Sequence, residues 1–537
     1  MDLATLRDTD FTLLHGTADA YDKLRGDFGH HLENWRTGVD QRIAAAGWTG
    51  PAADAATPSL QLTTGELKAA QTEIGQIGKV LRAGADALVL AQSALRKALE
   101  DVKSADMSVN EHGAVAWEAA SSADQHDPDY QKTRDRTAKA LAARITTALT
   151  EADTVDQALA TRLQHYTTRA HEGTGLDPTA ADQDRLDPAL APVNLMFGAV
   201  PRPDAPPTEV NAWWNSLPAD RQQWIIAEHP DLVGNRDGIP AVVRDKANRI
   251  LLYRYIEEYA RDGSPATGHR WQKLEGFRKI SERLLNSAGQ DPPVFLLGIS
   301  DQGQGRGILS FGNPDTADNV TSLVGGLGTE LQRIGDGDAN RAKAVYEAAR
   351  RADPTRSTAS IAWLGYDAPL TAPETLDFSR AQKGVDAYRK FLEGQRVTHQ
   401  GPPAHVTAQG HSFGSVLVGM AAKRPTGLAA DDIILVGSPG TDAVHASDFS
   451  VGADHTYVGA AQWDYVSQAG WYTRDPARAD FGAQRFAVAD GSPNGSAHSS
   501  YWDDQPGEDH TSVDNIGEIV TGHGDRITRE APRGGRR

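Results

Sequence analysis

Residues Ala408-Gln409-Gly410-His411-Ser412-Phe413-Gly414-Ser415 contain a Gly-x-Ser-x-Gly motif that leaves the backbone around Ser412 few conformations. Upstream, Ala404 to Ala408 is short, partly β-branched and set off by Gly401-Pro402-Pro403, which reads as a strand opening after a loop. Downstream, the small and apolar run from Ser415 to Ala422 has no breaker except Gly419 and suits a buried helix. A serine on a sharp turn between strand and helix is a nucleophile elbow, its hydroxyl held at the rim of a sheet. Such a turn strains the serine backbone and brings helix and strand close together, so side chains at positions 410 and 414 would clash. A chance glycine turn is the competing reading, and the strand before and helix after argue against it.

A serine hydroxyl is almost never ionised near neutral pH, so an elbow serine needs a base. Where this elbow is catalytic, an acid and then a histidine follow the serine along the chain. The histidines after Ser412 are His445, His455, His498, His510 and His523. His498 sits in a small-residue loop, Asn494 to Trp502, ahead of a helix-like segment from Val513 to Thr521, and such a loop can return an imidazole to the sheet edge. Thr456 to Ala461 reads as a late strand, which puts Asp464 just beyond its carboxyl end, where it can orient the imidazole. Taken singly, Asp464 as a helix cap and His498 as an ordinary loop histidine stay open; their order and placement favour a triad. His445 and His455 precede or border the strand that should carry the acid, His523 belongs to a polar tail, and Asp431 and Asp432 look like turn residues.

Acyl transfer also needs donors for the oxyanion. The backbone N–H of Phe413 is one candidate, and the loop Thr321 to Thr329, with Gly325-Gly326-Leu327-Gly328, offers the amides of Gly326 and Leu327 as the other. A phosphate-binding loop is the rival, but the spacing is neither Gly-x-Gly-x-x-Gly nor a Walker sequence. Gly303-Gln304-Gly305-Arg306-Gly307 separates the apolar runs Val294 to Ile299 and Ile308 to Phe311 and reads as a hairpin loop.

Several segments together carry a resemblance. Trp213-Trp214-Asn215-Ser216-Leu217, Asp237-Gly238-Ile239-Pro240, Arg244 to Arg249, Asn313 to Val320, Ile361 to Pro369, Gly410 to Ser415 and His498-Ser499-Ser500-Tyr501 are spread over 211–522. That region resembles an actinobacterial α/β-hydrolase family long catalogued as a domain of unknown function. The resemblance implies an α/β-hydrolase fold with Ser412 as nucleophile, His498 as base and Asp464 as the acid, and a reaction class without a substrate. One departure is Gly325, which stands where a proline is expected before the glycines.

The amino-terminal part differs in kind. From Tyr21, Leu24, Phe28, Leu32, Trp35, Val39 and Ile43 fall at steps of three and four, one face of a helix. After Gly47-Trp48-Thr49-Gly50-Pro51 a second helix carries Leu60, Leu67, Ile74, Leu81, Leu88, Leu95 and Val102 at steps of seven. The hairpin with Trp48-Thr49-Gly50 at its turn resembles the WXG100-like modules associated with type VII secretion, which implies a small helical partner protein. The Tyr-x-x-x-Asp/Glu export signal expected after the second helix is missing there; Tyr253 to Glu257 fits by spacing alone. A third helix is expected over Tyr130 to Ala170.

These readings divide the chain into a helical hairpin or bundle over 1–175, a Pro, Gly and Asp-rich linker over 176–207, a helical segment over 208–290, an α/β catalytic domain over 291–523 and a disordered tail over 524–537. The fold class is α/β preceded by an all-α domain. A formal charge of -18 argues against sequence-independent nucleic-acid binding. The lack of cysteine removes disulfides and thiol chemistry. No secretory signal peptide and no stretch long enough for a membrane span is visible, so the location expected by default is cytoplasmic, with leaderless export as the alternative. No cofactor or metal is expected, since His30 and His31 are adjacent and no His-Glu-x-x-His occurs. The expected substrate is a small-molecule or lipid ester. The hairpin is expected to cover a site whose acyl pocket is built from Trp471, Tyr472, Phe481 and Phe486. Two other classes stay open, a secretion-linked effector or partner-binding protein and an inactive hydrolase-fold scaffold.

Overall fold

The computed structural model describes residues 1–119, 121, 124–187, 189–197, 200–261, 268–504 and 507–534. The chain divides into two compact units, 1–200 and 201–537.

The first unit is helical. Helix α1 (Thr12–Trp35) runs on through a π-helical turn (Arg36–Asp40) and a short helix (Gln41–Ala46) that Gly47 ends at φ 60°. Helix α2 (Pro51–Ser104) starts on a proline, whose missing N–H costs nothing at a helix N-terminus. Helix α3 (Pro128–Glu172) packs on α2, as α1 does. Leu81, Leu88, Leu95 and Val102 of the heptad row are buried, but Ala83, Ala87, Ala91 and Ala98 are equally so, and a Cβ on Gly84 would meet Leu159 Cδ2 at 2.8 Å. The seam is thus set by small residues that let the helices approach closely. Leu24, expected on the buried face of the first helix, is instead exposed.

The stretch 176–207, expected as a linker, is helical over Pro178–Leu186 and Val193–Phe197, and both helices pack on α2. The Asp177-Pro178 pair that suggested a linker is a helix start: Asp177 accepts from the N–H groups of Thr179 and Ala180, and Pro178 takes the first helical position. Asp184 then pairs with Arg169 and His165 of α3, each at 2.9 Å.

The second unit holds an eight-stranded sheet. Its strands are β1 (Val294–Ser300), β2 (Arg306–Phe311), β3 (Asn319–Val324), β4 (Thr358–Leu364), β5 (His405–His411), β6 (Asp432–Val436), β7 (Thr456–Gly459) and β8 (Gln484–Arg485). They lie in the order β1-β2-β4-β3-β5-β6-β7-β8. Strand β2 is antiparallel to β1 and β4, and every other pairing is parallel. The Gly303 segment is the hairpin loop between β1 and β2. Strands β3 and β4 are buried along their whole length, as parallel strands covered on both faces must be. On β6 the alternation is clean: Ile433 and Leu435 enter one apolar core, Ile434 and Val436 the other.

Helices α4 (Ala241–Arg261), α5 (Gly268–Asn286), α6 (Gly337–Ala352), α7 (Phe378–Thr398), α8 (Gly414–Ala422) and α9 (Thr511–Val520) flank the sheet. Trp213 and Trp214 are buried packing residues. The tail 524–537, expected to be disordered, is built into the fold as far as 534, and 535–537 lie outside the described residues. Ile527 is buried, and Arg529 and Arg533 bridge to Phe486 and Arg478. Among the described residues no helix is long and apolar enough to cross a membrane.

Candidate active site

Ser412 follows β5 directly and has φ 54°, a left-handed backbone that a serine adopts only under constraint. Its N–H donates to Val436 O at 3.1 Å, which fastens the turn to β6. The two motif glycines are demanded by close approach: a Cβ on Gly410 would lie 2.6 Å from Ser415 Cα, and one on Gly414 would lie 2.1 Å from Val324 O. The loop after β3 closes on the same turn, since a Cβ on Gly326 would stand 2.7 Å from both Phe413 N and Ser412 Cβ. Among the described residues the amides of Gly326, Leu327 and Phe413 donate to no protein partner.

Asp464 lies beyond β7 and His498 lies in a 3-10 turn (Ser496–Trp502) beyond β8. Both carboxylate oxygens of Asp464 stand 3.0 Å from His498 Nδ1. Asp464 also accepts from the Tyr501 hydroxyl at 2.7 Å and from the N–H groups of Val466 and Ser467 at 3.0 and 3.3 Å. Burial alone would raise this carboxyl, but the hydrogen bonds and charge of His498, with the bonds from Tyr501 and Ser467, outweigh it and hold Asp464 below the usual carboxylate range. The Asp464 side chain is fully covered while 24% of the His498 side chain is exposed, so the imidazole is the reachable member of the pair.

A cavity of about 240 Å³ is lined by Ser412, His498, Gly326, Leu327 and Phe413 together with Arg333, Arg341, Val466 and Trp471. The five expected site residues at its wall are therefore gathered in one place, with Asp464 behind His498. No hydrogen bond links Ser412 Oγ to His498 Nε2; each is without a protein partner among the described residues. Of the aromatics expected to form an acyl pocket, Trp471 alone lines the cavity. Tyr472 is buried with its hydroxyl on Thr375 O, Phe481 packs on Phe449 and Phe486 fills the core beside α9. The other histidines are engaged elsewhere: His455 on Asp432, His445 on Asp480 O and His523 on Asp353.

Residues 301–472 match the profile of an α/β-hydrolase family. The uncharacterized protein Rv0963c of Mycobacterium tuberculosis is 31% identical over 201 residues, an alignment covering 36% of this chain and 74% of that protein. This chain belongs to the α/β-hydrolases. The chain is also 31% identical over 416 residues to the uncharacterized protein Rv2079 of the same organism, covering 67% of this chain; it spans only 61% of the length of that relative. A fungal esterase from Rhizomucor miehei superposes with a TM-score of 0.30 at 10% identity, covering 51% of this chain and 95% of the esterase, too loosely to carry anything further.

Four side chains around the candidate site went unassigned in the sequence. His411 is buried, and burial, with the nearby charges of Arg341 and His498, pushes its imidazole well below its ordinary value, so it is neutral. Its Nε2 lies 2.8 Å from the carbonyl of His498, an oxygen that can only accept; the ring therefore carries its proton there and braces the histidine turn. Tyr501 is the hidden donor to Asp464: burial and the adjacent carboxylate push its phenol well above the usual value, and its oxygen accepts from the N–H of Ala461 at 3.1 Å. Arg341 pairs with Asp338 at 3.1 Å and lies over the ring of Trp502 at 4.6 Å. Arg533, in the tail, donates to Ser467 O at 2.9 Å and Ala461 O at 3.1 Å, clamping the loop that carries the acid. A signal existed for two of them, since His411 sits inside the elbow motif and Tyr501 three residues after His498 in a helical turn.

Proposed function

We propose that the second unit is a serine hydrolase that cleaves a carboxylic ester or related acyl bond. The observation that carries this reading is the Asp464–His498 contact at the wall of the cavity that holds the strained Ser412. Asp464 fixes the proton of the imidazole on Nδ1, which leaves Nε2 as the base. In this reading Ser412 Oγ attacks the acyl carbon and its proton passes to His498 Nε2. The amides of Phe413 and of Gly326 or Leu327 stabilise the oxyanion. The leaving group takes the proton from His498, and water repeats the sequence to release the acid. Hydrogen bonds between nucleophile and base are often formed only with substrate bound, which accommodates the unlinked Ser412 and His498. The family lies with the actinobacterial hydrolases it resembles, and the first unit with the WXG100-like modules that bind a small helical partner.

The test is covalent labelling by a fluorophosphonate together with hydrolysis of 4-nitrophenyl esters of increasing chain length. Ser412→Ala should lose both while keeping the circular dichroism spectrum of the parent. Labelling that persists in the folded variant would remove Ser412 as nucleophile.

A further inference from the structure

The lining of the cavity is uneven in charge. It includes the apolar Leu327, Phe413, Pro439, Val466 and Trp471, two arginines, Arg333 and Arg341, and no acidic residue. The two guanidinium groups share one buried carboxylate, Asp338, which lies 3.1 Å from Arg341 and 4.0 Å from Arg333. Arg341 is fully committed: its side chain is 12% exposed, held by Asp338, covered by Trp502 and 3.5 Å from His411 Nδ1. Arg333 is different. It projects from a single helical turn (Leu331–Gly335), its side chain is 38% exposed, and it donates no side-chain hydrogen bond among the described residues. Glu330, three positions earlier, lines a separate cleft with Lys273. Asp464 stands behind His498 with its oxygens already occupied. A guanidinium with free donors in the same cavity as Ser412, with no carboxylate in the lining, matches a planar or tetrahedral oxyanion.

We infer that the substrate carries an anionic group, a carboxylate or a phosphate, which Arg333 holds next to Ser412. This rests on the hydrolase reading above. Arg341 supports the wall by neutralising Asp338, so that the charge of Arg333 is left for the ligand.

The full chain is assayed with mono-4-nitrophenyl succinate and with its methyl ester, which has the same reacting bond and no charge. The wild type should favour the anionic ester in kcat/KM by about tenfold at low salt, with the preference shrinking as ionic strength approaches about 1 M. Arg333→Gln should bring the ratio of the two esters near one through KM, and Arg333→Lys should restore part of it. Inhibition by methyl phosphate against inhibition by monomethyl succinate separates the phosphate source from the carboxylate. Turnover of both esters without preference, or a preference that Arg333→Gln leaves in place, overturns the inference. If neither ester is cleaved and Ser412 is not labelled, the hydrolase reading fails by itself. Calorimetric binding of monomethyl succinate to wild type and Arg333→Gln then decides: binding lost in the variant upholds the anion site, and equal or absent binding in both overturns it.

Discussion

The elbow and the acid–histidine arm face one cavity but are held in place by opposite means. The elbow is held by backbone: a left-handed serine, two glycines against carbonyl and Cα atoms, and the Gly326 loop pressed on the same turn. The arm is held by side chains. Asp464 depends on Tyr501 and two amides, the turn of His498 depends on His411, and the loop between them depends on Arg533. A backbone device tolerates no added atom, whereas a network of side-chain hydrogen bonds loses its members one at a time.

The sharpest test of that contrast is Gly414→Val. A Cβ there would lie 2.1 Å from Val324 O, an atom of a buried strand that cannot yield. The substitution should cost on the order of 4 kcal/mol or more, removing the cooperative melting transition of the second unit along with fluorophosphonate labelling. A variant that melts like the parent would mean that the elbow is looser than its contacts indicate.

Asp464→Asn comes next. It keeps the shape of the arm but favours the wrong imidazole tautomer, so under the proposed mechanism ester turnover should fall by about 10³ to 10⁴ with melting little changed. A loss of less than about tenfold in turnover would take Asp464 out of the proposed triad.

Tyr501→Phe is the mildest. One donor to a carboxylate is lost, a change of about 1.5–3 kcal/mol if nothing replaces it. The Asp464 carboxyl, now held low by fewer bonds, rises. Stability follows the same sign. A depressed carboxyl stabilises the fold above its unfolded value and loses that contribution as pH falls through the folded value, so the variant should lose its share at a higher pH. A stability–pH curve whose acid side stays where it was would reduce Tyr501 to a packing residue.

The same contrast explains what was legible in the sequence. The elbow was readable because its determinants lie within a few residues, and the strands because buried parallel strands are continuous apolar runs. The order of Ser412, Asp464 and His498 pointed to a pair that the fold brings into contact, but nothing local pointed to Tyr501 or Arg533 as their supports. Asp177-Pro178 was misread because a helix start and a linker use the same residues, and only the packing of the following helix on α2 separates them. Phe481 and Phe486 were misread for a related reason: a large aromatic in an irregular segment fills a core as readily as it lines a pocket.

The clamp of Arg533 on the acid loop fixes a sequence of events during synthesis. Ser467, whose carbonyl it holds, leaves the ribosome 66 residues ahead of it. At translation rates of about 5–20 residues per second, Ser467 is made roughly 3–13 s before the brace that holds its carbonyl. A nascent chain therefore has the residues of the strained serine turn early and those of the clamped acid loop complete only once Arg533 has been made.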